Sequence, residues 1–261
     1  GELTELRHPE AVEVWHGVVW SRLGRGDLAW DWWDQVEAAE LAPWVAAERG
    51  RTLRELGLHR EAEVHDLAGL EDAVDIVDVV MLRLSLVADA LGRGDLDTAR
   101  LRFDAVEPML DELPDGPRLT RQRMRRAWIA VELGLHDAYD PPFDELPRWD
   151  PEQGVVFPDD YAHGSTFHAA KGLLFAGIAR DDGRLLDAAA DIAPPILRWA
   201  IELARADRSR DGALAQARDA WNKIVPPPGF EDAVAGTDVA RRLRGDQPRS
   251  EGSSRRAPSS S

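Results

Sequence analysis

A short phrase that stops one helix and starts the next returns four times in this chain. It reads Leu-Gly-Arg-Gly-Asp-Leu at residues 23–28, Leu-Gly-Leu-His-Arg-Glu-Ala at 56–62, Leu-Gly-Arg-Gly-Asp-Leu-Asp-Thr-Ala at 91–99 and Leu-Gly-Leu-His-Asp-Ala-Tyr at 133–139. Glycine accepts the left-handed backbone that closes a helix, and an Asp soon after it caps the next one. A unit repeated at this interval cannot bury its own apolar face, so it must stack on its neighbours.

The segments between these phrases carry helical periodicity. Val12, Trp15, Val19 and Leu23 share one stripe of a first helix, and Asp27 is expected to cap a second containing Leu28, Trp32, Val36 and Ala39. Pro43 opens a helix that runs to Gly57 and is partnered over 59–70. A strongly apolar helix over 77–90 ends at Gly92 and Gly94. Asp95 opens its partner over 96–110, with Leu101, Ala105 and Met109 among its buried candidates. Connections this short make each pair antiparallel.

Beyond a Pro/Gly turn at 113–117 a helix is expected over 119–133, and Pro141-Pro142 damages its companion at once. Further helices are expected over 165–180, 184–206 with a kink at Pro194-Pro195, 211–225, and 230–243. Strand alternation is absent except weakly at 155–157. The fold class expected is therefore all-α: a right-handed α-α superhelix of antiparallel helix pairs. Residues 1–139 form the repeats, 140–162 an irregular insertion, 163–244 additional pairs completing the same domain, and 245–261 a Ser/Arg-rich disordered tail.

The pattern resembles the tetratricopeptide repeat family, in which small residues stand where the two helices of a pair approach. The first unit offers Trp15, Gly26-Asp27-Leu28, Ala38 and Pro43, and the second Gly50, Gly57 and Ala62. The third offers Leu86, Gly94-Asp95-Leu96, Ala99 and Phe103, and the fourth Ala127 and Gly134, with Tyr139 where the family prefers Ala. A fifth, over 169–199, offers Ala176, Gly183 and Ala188. Asp31 departs from the small residue expected in the first unit. The resemblance implies noncovalent binding of a protein or peptide on the concave face, and no catalysis.

The balance of 48 acidic against 32 basic side chains gives a formal charge of -16, which repels phosphate backbones and anionic lipid. Nucleic acid and membrane are accordingly not expected as partners. The absence of Cys excludes disulfides, thiolate catalysis and thiolate metal sites. No stretch reads as membrane-spanning and the first residues lack a signal-peptide pattern, so a cytoplasmic protein is expected.

Candidate contacts on the first helices of successive pairs are Trp15, Trp20, Ala46, Arg49, Leu53, Arg83 and Arg123, with guanidinium groups suited to an acidic or C-terminal carboxylate partner. Trp30 and Trp33 share a helical face. They are either core or a recognition patch that includes Trp15, Trp20 and Trp44. Arg121, Arg123, Arg125 and Arg126 are expected to spread around a helix as a solvated face.

An alternative reading is an all-helical enzyme, or a metal- or small-molecule-binding protein, at Asp159, Asp160, Tyr161, His163 and His168, with Asp160, His163 and His168 as its chemistry. His163 and His168 stand five apart, about 140° around one helix, which is unlike helical metal ligands. Capping by the aspartates is the plainer reading, and neither cofactor nor metal is expected. A further alternative is a regulatory accessory protein acting as a homodimer.

Overall fold

In the computed structural model, residues 11–135, 146–158, 166–208 and 211–245 are described. His136, Tyr139, Pro141, Pro142, Asp159, Asp160, Tyr161, His163 and the 246–261 tail therefore lie outside the described residues. Among the described residues there are 13 α-helices and a single two-stranded hairpin.

Each Leu-Gly phrase closes its helix in the same way. Gly24, Gly57, Gly94 and Gly134 take φ of +77°, +80°, +73° and +69°, the left-handed region that glycine enters without penalty. The residue after each glycine then donates its N–H back to the carbonyl of the last turn: Arg25 to Trp20, Leu58 to Leu53, Asp95 to Ala90 and Leu135 to Ala130, all at 2.9–3.0 Å. A fifth copy is built without glycine. Asp181 takes φ +51° and Asp182 N–H donates to Gly177 O at 3.0 Å, so Gly183 starts the following helix and is not the turn residue.

These turns separate α1 (Ala11–Arg22) from α2 (Gly26–Trp33), α3 (Ala42–Glu55) from α4 (His59–Asp72), α5 (Ile76–Gly92) from α6 (Leu96–Val106), and α8 (Thr166–Ala179) from α9 (Gly183–Ile192). Helix α7 (Pro117–Glu132) stands between the third pair and α8, and α10 (Pro195–Ala206) pairs with α11 (Ala213–Asn222). Two short helices, α12 (Glu231–Ala235) and α13 (Asp238–Arg244), replace the single terminal helix expected. Pro194 and Pro195 break the expected 184–206 helix in two, because a proline ring starts a helix more readily than it continues one.

The weak strand signal marks one arm of an antiparallel hairpin, β1 (Arg148–Asp150) against β2 (Gly154–Val156). Asp95 caps α6 as expected by accepting from Thr98 N–H. Asp27 does not cap α2; its carboxylate pairs with Arg25 at 2.6 Å.

The buried faces differ from the most apolar stripes in two helices. In α1, Val12, Trp15 and Val19 are exposed, as is Leu23 just past its end, and the core face is Ala11, Val14, Gly17, Val18 and Ser21. Small residues win because α2 lies close: a Cβ on Gly17 would stand 2.1 Å from Trp33 Nε1, which donates to Val14 O at 3.1 Å. In α6 the buried residues are Ala99, Phe103 and Val106, while Leu101 and Ala105 face solvent. Helix α2 ends at Trp33, so Val36, Ala38 and Ala39 lie beyond it.

The first helices of successive pairs contact one another in order, α1 to α3, α3 to α5, α5 to α7, α7 to α8 and α8 to α10, and α10 returns to α1. The circuit is thus closed. Its seam is fastened by backbone, with Gly26 N–H donating to Val225 O at 2.8 Å and Val225 N–H donating to Gly24 O at 2.7 Å. No described helix is long and apolar enough to cross a membrane.

Candidate functional site

The closed circuit surrounds a cavity of about 230 Å³ whose walls are the inward faces of α1, α3, α5, α7 and α8. Residues spaced by one helical turn supply each wall, since positions three, four and seven apart share a face. Trp15, Val18 and Arg22 come from α1, and Trp44, Glu48, Arg51 and Arg54 from α3. Arg118, Arg121, Gln122, Arg125 and Trp128 come from α7, and Phe167, His168 and Lys171 from α8.

Seven of these residues are Arg or Lys, against Glu48 and Asp78 among the lining carboxylates. The protein is strongly acidic overall, yet its interior cavity is cationic.

The cations crowd around shared partners. Glu48 accepts from Arg22 at 3.1 Å and pairs with Arg51 at 2.6 Å. The Arg22 guanidinium lies 3.7 Å over the Phe167 ring, with Arg51 and Lys171 both 5.6 Å from the same centroid. The negative ring face holds cations whose hydration the cavity reduces. Lys171 also donates to Glu55 at 2.5 Å.

Arg54 sits between Asp66 and Asp89, at 2.9 Å from the latter, and both carboxylates are fully buried. Arg125 is different, since it donates to Met81 O at 3.0 Å and Ser85 Oγ at 2.7 Å, both neutral acceptors. Burial, with Arg54 and Arg51 nearby, pushes the Arg125 guanidinium down to about 9; burial, opposed by Glu48, brings Arg22 to about 10. Burial and the field of Arg51, Arg22, Arg121 and Arg125 hold His168 well below the usual imidazole range, so its ring is neutral at pH 7.

Of the residues expected to contact a partner, Trp15 lines this cavity, with its ring edge-on to Trp44 at 5.1 Å. Trp20 is half-buried against the core. Trp30 and Trp33, 9 % and 1 % exposed, pack together at 5.3 Å, and Trp30 also meets His65 and Phe230. These two rings serve the core.

Arg49 faces the other side of α3, paired with Asp34 and 5.7 Å over Trp30, beside Ala46. Leu53 is fully buried, Arg83 is half-buried outside the cavity lining, and Arg123 is exposed. Of the alternative catalytic group, His168 is in the cavity wall, while Asp160 and His163 lie outside the described residues. Among the described residues no group of three His, Asp or Glu side chains could hold a metal ion.

The expectation had Arg121, Arg123, Arg125 and Arg126 spread around α7. The structure divides them: Arg121 and Arg125 face inward, Arg123 faces solvent and Arg126 pairs with Glu107 at 2.9 Å. Adding Arg118 to the count reveals the inward stripe 118, 121, 122 and 125. That spacing was the available signal for the site.

Comparison with family models, with curated proteins and with solved structures finds no match, so what this cavity does must be argued from its own geometry.

Proposed function

We propose that the protein is a noncovalent binding module, a divergent tetratricopeptide-like stack of helix pairs that receives an anionic group projected by a partner protein or peptide. The observation that carries this reading is a cationic, aromatic-walled cavity inside an acidic chain. Arginines on the first helices of the pairs supply charge-assisted donors, and Trp15, Trp44 and Trp128 supply apolar walls. The recurring left-handed turns and the close helix contacts at Gly17 and Gly50 support the family resemblance.

At about 230 Å³ the cavity is below the ~300–1,000 Å³ of typical small-molecule sites, so it suits one inserted group and not a whole cofactor. The closed circuit favours insertion over an extended segment lying along an open groove.

Trp15, Trp44 and Trp128 line the cavity, so tryptophan fluorescence reports its occupancy. Titration with a Glu-rich peptide at low salt is expected to give a saturable change in tryptophan fluorescence that weakens as salt rises, and a Lys-rich peptide is expected to give none. Equal responses to both peptides, or no saturation with the acidic one up to about 1 mM, overturn the reading.

A further inference from the structure

We propose that the group this cavity takes is a phosphoryl dianion, an inference that rests on the anion-binding reading above and names its ligand chemistry. Three features of the wall lead there.

The first is the charge of the lining: among the described residues it holds seven Arg or Lys side chains against Glu48 and Asp78. Glu48, Glu55, Asp66 and Asp89 lie beside Arg22, Arg51, Lys171 and Arg54, whereas the hydrogen bonds of Arg125 go to a carbonyl and a hydroxyl. The guanidinium groups of Arg51, Arg22, Arg121 and Arg125 all act on His168 in the wall. A cation held in a buried positive field is costly unless an anion joins it.

The second is direction. Arg or Lys donors line the cavity from four different helices, α1, α3, α7 and α8. A carboxylate offers two oxygens in one plane, whereas a phosphoryl group offers three around a tetrahedron and meets donors arriving from several helices. Among the described residues, two polar atoms of the lining are also buried without a hydrogen-bond partner: Arg22 Nη1 and the Oε1 of Gln122, a residue 8 % exposed. A phosphoryl oxygen accepts from the first, and a bridging water donates to the second.

The third is size. At ~30 Å³ per water, the cavity holds the equivalent of roughly seven or eight waters, room for one tetrahedral group with part of its hydration.

The source is either a phosphorylated side chain of a partner or free phosphate, and one calorimetric series on the full chain separates them. The probes are inorganic phosphate, a short phosphoserine peptide, and the same peptide with Ser or Glu at that position. Phosphate and phosphopeptide are expected to bind, the Glu peptide about tenfold more weakly or worse, and the Ser peptide not at all. Tighter binding of the phosphopeptide than of phosphate identifies a phosphorylated partner, and the reverse identifies free phosphate; both support the proposal. Equal affinity for Glu and phosphoserine peptides overturns it while leaving the anion-binding reading intact, and silence from all four probes overturns both.

Gln122→Glu places a negative charge in the wall at unchanged volume and is expected to weaken phosphate binding at least about tenfold. Arg125→Gln provides the complementary loss, with thermal melting showing that each variant is folded. Undiminished phosphate binding in both folded variants places the anion elsewhere and overturns the assignment.

Discussion

Replacing Arg54 by Met should expose how much of this fold depends on one buried cation. The Arg54 side chain is 7 % exposed and both aspartates that hold it are 0 % exposed, so the substitution keeps volume but strands two carboxylates in the core. Breaking a buried pair by removing one partner costs about 3–5 kcal/mol, a large part of the ~5–15 kcal/mol that stabilises a domain.

The pH dependence follows from Asp89, which burial pushes up to about 7 even with Arg54 beside it. A carboxyl whose folded pKa is raised contributes stability that is fully present below the unfolded value and lost as pH rises through the folded one. At about pH 5 Asp89 holds its proton in both proteins, so its own loss of Arg54 costs little there. Without Arg54 its pKa rises further, so above pH 7 the gap between variant and native protein should widen by ~1.4 kcal/mol per pH unit.

Urea unfolding followed by tryptophan fluorescence should show the midpoint lowered by about 1–2 M at pH ~8 and by less at pH ~5. The triple variant Arg54→Met, Asp66→Asn, Asp89→Asn should recover most of the loss. A deficit of the same size at both pH values, unrelieved in the triple variant, would falsify the electrostatic argument and assign the cost to packing.

Two further outcomes test the packing. Gly17→Ala should destabilise by about 1–3 kcal/mol despite the better helix propensity of Ala, because the new methyl meets the buried Trp33 ring. Gly236→Ala, at φ -84° with only ordinary contacts beyond 3.4 Å, should be neutral or stabilising by up to ~1 kcal/mol. Thermal melts of the pair decide it, and a higher melting point for Gly17→Ala contradicts the account. At the seam, a Cβ on Gly26 would stand 2.8 Å from Pro227 Cδ and 2.9 Å from Val225 O. Gly26→Ala should therefore loosen the return segment and speed native-state tryptic cleavage at Lys223, and an unchanged cleavage rate would show that the closure does not depend on this contact.

The helix boundaries were legible wherever backbone chemistry punctuates the chain. Gly24, Gly57, Gly94 and Gly134 stop helices because they take positive φ, and Asp95 and Pro43 start them at the expected places. The fifth turn was harder to place, since Asp181 carries the positive φ and the neighbouring Gly183 does not.

Which face is buried was less legible where the helices approach closely. Stripe counting favours Val12, Trp15 and Val19 over Ala11, Gly17 and Ser21, although only the small residues admit the Trp33 ring. Closure of the circuit was not legible at all, because it depends on a backbone seam joining residues about two hundred positions apart. The cavity shares that difficulty. Arg22, Arg51, Arg125 and Lys171 are scattered across four helices, and the net charge of the chain hides their convergence. Trp15 and Trp44 were singled out as partner contacts, Arg121 and Arg125 as a solvated face, and His168 for a site whose other members lie outside the described residues.

The most direct test of the central claim is a crystal structure of the full chain grown with selenate, a tetrahedral oxyanion whose anomalous scattering marks its position. The account predicts a selenium peak inside the cavity, enclosed by α1, α3, α5, α7 and α8, with selenate oxygens accepting from Arg125 and Arg22. Selenate found only on the outer surface, with the cavity guanidinium groups satisfied by the protein's own carboxylates, would contradict it.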